Sequence, residues 1–299
     1  MYIYMYARLY MKRTKHEYVE GELSGKFVHK KSLGQNFLTS DIVPRWLTKA
    51  GEVTQDDLVL EIGPGAGALT KVLLETGARV IAVEADSRAM IILEELLAEY
   101  ITTKQLTLIH TDVRELSIKD LGLTHHQFKV VANIPYYLSG FLLRTFLENP
   151  IQPSVLVFLM QKEVVERIAR DPKSSILSLS VQAFGVPTYI KTVTRGHFNP
   201  KPNVDSAIVR VGNITSTNFT SIEEQNLYFE LLHLGFGQKR KQLLSNFTHR
   251  YNRTDLEQLF TSLGIRLDAR AETLSVSTWL TLTKNLITLP TITNTISTD

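Results

Sequence analysis

Short runs of hydrophobic residues alternate with amphipathic segments from about residue 57 onward. The runs with the length and composition of buried strands are 58–62, 80–83, 106–110, 128–132 and 155–160. Residues 68–74 and 88–100 lie between such runs and have the periodicity of amphipathic helices. Strands separated by helices of this length indicate βαβ units and a parallel sheet covered on both faces. The runs 177–193 and 207–211 are also β-like, and we expect them to form an antiparallel hairpin at the edge of the sheet.

The pattern changes after Gly212, where the polar stretch 213–220 has the composition of a linker. Beyond it, helical periodicity recurs at 222–236, 240–249, 256–263 and 277–286. We therefore predict an α/β fold in which a doubly wound, Rossmann-like domain is followed by a small C-terminal all-helical domain. The predicted divisions are an N-terminal extension at 1–25, the Rossmann-like domain at 26–212, the helical domain at 213–288 and a disordered tail at 289–299.

The composition narrows the class of protein. The chain has 299 residues, which is the length of two domains rather than one, and it has no cysteine. The absence of cysteine excludes disulfide scaffolds, thiolate zinc sites, iron–sulfur clusters and cysteine nucleophiles. No apolar run approaches the ~20 residues of a membrane helix, and Arg8 interrupts the tyrosine-rich start, which makes it a poor signal peptide. These features predict a soluble, cytoplasmic protein without a membrane partner.

Charge is distributed unevenly along the chain, although the formal net charge is only +3. Residues 1–35, 185–211 and 235–253 carry net charges of +4, +3 and +5, so the remainder of the chain is acidic. Basic segments on a near-neutral protein are typical of a surface that binds a polyanion, although separate solvated surfaces give the same count. The adjacent residues Lys239, Arg240 and Lys241 are the first candidates for binding a nucleic-acid backbone.

A glycine-rich turn, Glu61-Ile-Gly63-Pro-Gly65-Ala-Gly67, follows the first predicted strand. Glycines allow a sharp turn and a close approach of a ligand, although a tight strand–helix turn needs no ligand to explain it. The dinucleotide fingerprint G-x-G-x-x-G places a pyrophosphate at a helix N-terminus. Here the spacing is G-x-G-x-G, and the preceding Glu61 suits a cationic ligand end better than a phosphate. The turn therefore favours S-adenosylmethionine over a nicotinamide cofactor.

Two further carboxylates end the next two predicted strands. Glu84 can accept hydrogen bonds from both ribose hydroxyls of an adenosine, or it can be a simple exposed glutamate. Asp112 can accept from an adenine amino group, or it can cap the turn that follows its strand. Because open α/β sheets bind ligands at the carboxyl ends of their strands, we predict that both lie in the cofactor site.

The segment Asn133-Ile-Pro135-Tyr136 follows the fourth predicted strand. An exocyclic adenine amine is a poor nucleophile because its lone pair is delocalised into the ring. The Asn133 amide oxygen and a backbone carbonyl near Pro135 can both accept from that amine, and they favour a pyramidal nitrogen whose lone pair points at a methyl sulfonium. Tyr136 can stack on a base that has been extruded from its helix. An Asx-Pro turn after a strand is the alternative interpretation.

Two other segments are candidates for the walls of this site. Phe198 precedes Pro200 and Pro202 in a turn-rich segment that we expect to be exposed. An aromatic ring there can cover the second face of a base, and such stacking is worth about 1–3 kcal/mol; a hydrophobic plug under the turn is the alternative. Gln35-Asn36-Phe37-Leu38 precedes a predicted helix at 41–50 and can fold over the cofactor as a lid.

Together these motifs resemble those of the ribosomal RNA adenine N6-dimethyltransferases. The resemblance covers about residues 31–284, and the segments that carry it are 35–38, 61–70, 133–136, 198–206 and 235–241. It is greater to the small-subunit branch of that family than to the large-subunit branch that confers macrolide resistance. Residues 1–25 and the polar lead-in Thr194-Arg195-Gly196-His197 depart from the family pattern.

The resemblance implies a class I S-adenosylmethionine-dependent methyltransferase that is monomeric and needs no metal. Its substrate would be small-subunit (16S) rRNA within an immature 30S particle, dimethylated at N6 of two adjacent adenines in the 3′-terminal hairpin during ribosome biogenesis. The expected cofactor-binding residues are Gln35, Asn36, Leu38, Gly63, Gly65, Glu84, Asp112 and Asn133. The expected catalytic residues are Asn133, Pro135, Tyr136 and Phe198, with the adenine between the last two. The alternatives are a large-subunit (23S) methyltransferase, an inactive RNA-binding assembly factor and a nicotinamide dehydrogenase.

Overall fold

The computed structural model describes residues 37–238 and 240–292, which fall into two compact units. The first unit contains residues 37–165 and 188–214, and the second contains the described parts of 166–187 and 215–292. Several predictions fall outside the described residues, namely the extension at 1–25, Gln35, Asn36, Lys239 and most of the tail. Thr291 and Ile292, which belong to the predicted tail, pair with Tyr251 and Arg250.

The strands of the described chain are β1 (Phe37–Leu38), β2 (Leu58–Ile62), β3 (Arg79–Glu84), β4 (Leu106–His110), β5 (Lys129–Asn133), β6 (Val155–Gln161), β7 (Val186–Val193), β8 (Phe198–Asn199) and β9 (Ser206–Gly212). Within this part of the chain, seven of them form one sheet in the order β4-β3-β2-β5-β6-β9-β7. Strands β2 to β6 pair in parallel with their neighbours, and β9 runs antiparallel to β6. The predicted parallel sheet is confirmed, with an antiparallel addition at one side.

Strand β2 lies inside the sheet, between β3 and β5, and begins the doubly wound topology. Its residues Val59, Leu60 and Ile62 are buried, as expected for a strand with helices on both faces. The chain proceeds from β2 to β3 and β4 on one side and then returns to β5 on the other. The strand order therefore reverses between β2 and β5, and the carboxyl ends of these two strands flank the crevice where such sheets bind ligands.

The helices that begin in the first unit are α1 (Ile42–Ala50), α2 (Ala68–Glu75), α3 (Ser87–Leu96), α4 (Ala98–Thr102), α5 (Ser139–Leu147) and α6 (Lys162–Ala169). Val43 and Leu47 of α1 and Leu73 of α2 belong to the same buried core cluster as Val59 of β2. The predicted helix at 88–100 is divided into α3 and α4 at Leu97. The sequence analysis did not predict α5 or α6, and α5 positions the residues that follow Asn133.

The prediction of a β-like run over 177–193 is wrong in its first half. Residues Ile176–Gln182 form a helix, α7, and only the second half forms the edge strand β7, next to β9. The alternation of apolar residues and serine in this stretch imitates a strand. A reciprocal capping box between Ser175 and Ser178 starts the helix instead, and Leu179 and Val181 are its buried apolar residues.

The second unit contains α7 and the helices α8 (Ile222–Phe236), α9 (Leu243–Phe247), α10 (Arg253–Ser262) and α11 (Val276–Leu286). Trp279 is fully buried among Phe236 and Phe247, with ring centroids 6.0 and 6.1 Å away. Gly235 packs so closely on Trp279 that an added Cβ would lie 2.6 Å from the indole. The predicted helical character of this part of the chain is confirmed.

Candidate active site

A pocket opens in the first unit at the carboxyl ends of strands β2 to β5. It brings together nearly all of the described residues that the sequence analysis selected. The selected residues that line it are Leu38, Glu61, Gly63, Gly65, Glu84, Asp112, Asn133, Pro135, Tyr136 and Phe198. Arg240 and Lys241 are exposed in the second unit and do not line it.

The glycine-rich turn between β2 and α2 forms the floor of the pocket. Gly63, Gly65 and Gly67 have φ values of +68°, +57° and +83°, which L side chains rarely adopt. The two glycines at the pocket differ in what faces them. A Cβ on Gly63 would meet nothing within 4 Å, whereas a Cβ on Gly65 would lie 2.7 Å from the ring of Phe37. Gly63 therefore leaves open space for a ligand, and Gly65 allows Phe37 to pack onto the turn.

We expect Gly65→Ala to lower the free energy of unfolding by about 2 kcal/mol. The left-handed conformation accounts for roughly 1–2 kcal/mol of that loss, and the contact with Phe37 adds to it. Gly140→Ala is the matched control, because Gly140 lies in helix α5 and an added Cβ there meets nothing within 4 Å. The control should be unchanged or more stable by up to about 1 kcal/mol. Urea unfolding measures both; equal stabilities for the two variants would contradict the packing described here.

Glu84 ends strand β3, and its carboxylate is fixed by backbone groups. Its Oε2 accepts from the N–H of Gly65 at 3.0 Å, and its Oε1 accepts from the N–H groups of Ala85 and Asp86 at 2.9 and 2.8 Å. Through these hydrogen bonds the Glu84 side chain joins the glycine turn to the neighbouring strand. The side chain is buried and its carboxylate lies in the pocket wall.

Glu61 is a second buried carboxyl group in the pocket wall. It is only 1% exposed, and its Oε2 has no hydrogen-bond partner within the described part of the chain. Burial, assisted by the negative charge of Glu84, raises the pKa of Glu61 to about 8. A positively charged group beside Glu61 would favour its ionised form.

The raised pKa of Glu61 predicts a pH-dependent stability. Between an ordinary pKa of about 4.5 and the folded value of about 8, the folded protein holds a proton on Glu61 that the unfolded chain has lost. The free energy of unfolding should therefore fall as pH rises through this window, by at most about 1.4 kcal/mol per pH unit. Urea unfolding at pH 5.5 and 7.5 should show a smaller fall for Glu61→Gln than for the wild type. The same fall in both proteins would exclude Glu61 as its source.

Asp112 caps the turn after its strand and also lies in the pocket wall. It lines the pocket, and its Oδ1 also accepts from the backbone N–H of Arg114 at 2.9 Å, which caps a short 3-10 helix at Val113–Glu115. The Arg114 guanidinium lies 2.6 Å from Oδ2, and this contact lowers the pKa of Asp112. The carboxylate is therefore a fixed, ionised acceptor at the pocket wall.

The turn after Asn133 is held by its own hydrogen bonds. The Pro135 carbonyl accepts from the N–H of Leu138 at 2.9 Å, and the Tyr136 carbonyl accepts from the Ser139 hydroxyl at 2.8 Å. The Tyr136 hydroxyl lies 2.8 Å from the hydroxyl of buried Ser206, and this fixes the ring at the pocket wall. The Ile134 carbonyl accepts no hydrogen bond from the described residues, so it is the backbone acceptor of this turn that remains available.

Phe198 is buried, with 4% of its surface exposed, which corrects the expectation that its segment is exposed at this position. It pairs with Leu38 in the short antiparallel ladder between β1 and β8, and the Thr39 N–H donates to the His197 carbonyl at 3.0 Å. The same ring belongs to the core cluster and lines the pocket. The two interpretations of Phe198, hydrophobic plug and pocket wall, therefore describe two sides of one ring.

Tyr137, which was not predicted as a site residue, also lines the pocket and is 59% exposed. An aromatic residue directly after Tyr136, outside any apolar repeat, was the available signal. Within the described ranges, no group of three His, Asp or Glu residues is placed to hold a metal ion. None of the helices in these ranges is long and apolar enough to cross a membrane.

Comparisons with known proteins show the family to which the chain belongs. A family model described as "Ribosomal RNA adenine dimethylase" matches residues 26–288. The chain is 37% identical over 253 residues to "Ribosomal RNA small subunit methyltransferase A" of Dehalococcoides mccartyi strain CBDB1, covering 84% of this chain and 86% of the relative. It is 35% identical over 275 residues to the protein of the same name from Bacillus mycoides strain KBAB4, covering 87% and 92%.

Two solved structures share the architecture. A dimethyladenosine transferase from Plasmodium falciparum is 25% identical, with a TM-score of 0.70 over 82% of this chain and 95% of its own. The 23S rRNA methyltransferase ErmE is 23% identical, with a TM-score of 0.68 over 84% of this chain and 100% of its own, and it supports the fold alone.

Proposed function

We propose that this chain, which belongs to the ribosomal RNA adenine dimethylase family, transfers methyl groups from S-adenosylmethionine to N6 of adenine in small-subunit rRNA. One observation carries the proposal. A single pocket holds three carboxyl groups at one set of strand ends and the Asn133–Tyr136 turn at another, and Phe198 closes it. The first set suits a cationic adenosine, and the second suits an adenine that presents its amine.

The carboxyl groups support one orientation of the cofactor. Glu84 would accept from the ribose hydroxyls, and Asp112 from the adenine amine. Glu61 would face the cationic methionine end, above the open space at Gly63. When bound, S-adenosylmethionine supplies an electrophilic methyl group on sulfur. The residues bind and orient it, and the buried walls exclude water from the reacting atoms.

The Asn133 turn prepares the amine for attack. The Asn133 side-chain oxygen and the Ile134 carbonyl accept hydrogen bonds from the two N–H groups of the amine. The Ile134 carbonyl is chosen because the Pro135 carbonyl already accepts from the N–H of Leu138. Tyr136 and Phe198 hold the base between them. The bound cofactor would supply the methyl group, its sulfur–methyl bond would break as the nitrogen–methyl bond formed, and the methylated amine would release its proton to water. Because the amine becomes acidic only after attack, the step needs no dedicated general base.

The proposed substrate can be stated more narrowly than an adenine of rRNA. We propose that two adjacent adenines in the 3′-terminal hairpin of 16S rRNA, within an immature 30S particle, are each dimethylated. The basic residues Arg240 and Lys241, both exposed, would bind backbone phosphates and supply affinity rather than sequence choice. The names of the bacterial relatives support a small-subunit substrate.

Methyl transfer with labelled S-adenosylmethionine tests this function directly. Immature small-subunit particles and protein-free large-subunit rRNA serve as parallel substrates, and mass mapping locates the modified bases. We expect dimethyladenine only in the small-subunit RNA. Labelling of the large-subunit RNA alone would favour the macrolide-resistance type of enzyme, and no transfer to either RNA would favour a binding factor without activity.

A further inference from the structure

A lysine on strand β7 is held on an aromatic platform. The Nζ atom of Lys191, on strand β7, lies 4.3 Å from the centroid of the Trp46 ring. The imidazole of His197 meets the same indole edge-to-face, with centroids 5.8 Å apart. Trp46 itself is half-buried and packs against the core cluster of the first unit, so the platform is rigid. Cation–π contact therefore fixes the position of an ammonium group that would otherwise be mobile.

This platform is continuous with the pocket. His197 directly precedes the pocket residue Phe198, and its carbonyl accepts from the N–H of Thr39 next to the pocket residue Leu38. His197 therefore lies directly beside the short ladder that contains the pocket residues Leu38 and Phe198. Lys191 and His197 contact the same indole, so Lys191 is joined to the pocket wall through Trp46 and His197.

The charge around the platform is positive. Residues 188–204 contain Lys191, Arg195, His197 and Lys201 and no acidic residue. The neighbouring Arg45 on α1 is already paired with Asp41 and Glu75. Lys191, in contrast, forms no salt bridge with a carboxylate among the described residues. Its ammonium group is thus available for an anion.

We propose that Lys191, positioned by Trp46 and beside His197, binds a backbone phosphate of the RNA strand next to the extruded adenine. This inference rests on the proposed function. An adenine that leaves its stack carries its own flanking phosphates to the pocket mouth, and these must be held while the base is inside. Phosphate contacts of this kind set the register of the strand without reading its sequence. Lys191 would thereby select which position along the strand faces Asn133.

Lys191→Gln tests the contact, with Lys119→Gln as the matched control. Lys119 is an exposed lysine of the same unit, and its replacement removes the same charge. We expect Lys191→Gln to raise the dissociation constant for immature small-subunit particles about three- to tenfold. The slope of log binding constant against log salt should decrease by about 0.7–0.9. The control should change neither quantity.

Trp46→Leu tests the positioning role in a double-mutant cycle. Trp46→Leu should decrease the slope of log binding constant against log salt when Lys191 is present, and it should leave that slope unchanged in the Lys191→Gln background. Equal binding by Lys191→Gln and Lys119→Gln, with active wild-type enzyme, would overturn the inference alone. Absence of methyl transfer by the wild type would instead overturn the proposed function. Weaker binding to intact particles but unchanged binding to their protein-free rRNA would assign Lys191 to a protein partner and also overturn the phosphate contact.

Discussion

Replacing Asn133 by alanine is expected to lower the rate of methyl transfer by about 10²–10³-fold, the magnitude observed when one preorganised polar partner of a transition state is removed. The side-chain oxygen is one of two acceptors proposed to draw the amine out of conjugation with the adenine ring. With only the Ile134 carbonyl left, the nitrogen lone pair stays delocalised and no longer points at the methyl group. Binding of RNA should change little, because the base remains held between Tyr136 and Phe198.

Single-turnover transfer to immature small-subunit particles measures this effect, with RNA and S-adenosylmethionine binding measured separately. Asn285→Ala is the matched control, since it makes the same truncation on an exposed turn of helix α11, where the side chain bonds only to its own helix. The control should transfer at the wild-type rate. Equal rates for Asn133→Ala and the control would refute the assigned role of Asn133.

The same experiment decides between the chemical and the Asx-Pro turn interpretations of this motif. The hydrogen bonds described inside the turn join Leu138 to Pro135 and Ser139 to Tyr136. The chemical interpretation predicts that the turn survives the loss of the Asn133 side chain. Asn133→Ala should therefore unfold within about 1 kcal/mol of the wild type in urea, as is typical for a half-buried polar truncation. A much larger loss of stability would indicate that Asn133 is chiefly a structural residue.

The sequence was most informative where local periodicity and position along a strand decide the structure. The run 58–62 coincides with strand β2, because a parallel strand buried on both faces is a continuous apolar run. Since Glu84 and Asn133 end β3 and β5, and parallel strands share one carboxyl edge, their convergence followed from topology alone. For such residues, the strand that each one ends and the direction of that strand are enough to predict their position.

Features that depend on contacts between distant segments were not predictable. The burial of Phe198 results from its pairing with Leu38, 160 positions earlier in the chain, and nothing in its proline-rich surroundings indicates that partner. The packing of Phe37 onto Gly65 and of Lys191 onto Trp46 has the same origin. Helix α7 was missed for a different reason, since its serine cap outweighs an alternating pattern.

Phe198→Leu is expected to distinguish the packing of the Phe198 ring in the core from its proposed stacking on the base. Leucine preserves most of the apolar volume, so the free energy of unfolding should fall by less than about 1.5 kcal/mol. It removes the aromatic face, however, and stacking on a base is worth about 1–3 kcal/mol. The ratio kcat/KM for small-subunit particles should therefore fall by about 5- to 150-fold while the protein remains folded. Phe198→Ala should in addition lose about 3–5 kcal/mol of stability, because it leaves a cavity in the core cluster.

Phe146→Leu is the matched control for this measurement. Phe146 is fully buried on helix α5 against Phe158, with ring centroids 6.4 Å apart, and it does not line the pocket. It should lose a similar amount of stability with no change in kcat/KM. If Phe198→Leu behaves in the same way, the ring is only a plug beneath the turn, and the adenine must be held by Tyr136 and the exposed Tyr137 instead. A selective fall in kcat/KM for Phe198→Leu assigns the pocket side of the ring to the base, because packing volume is nearly constant across the two substitutions.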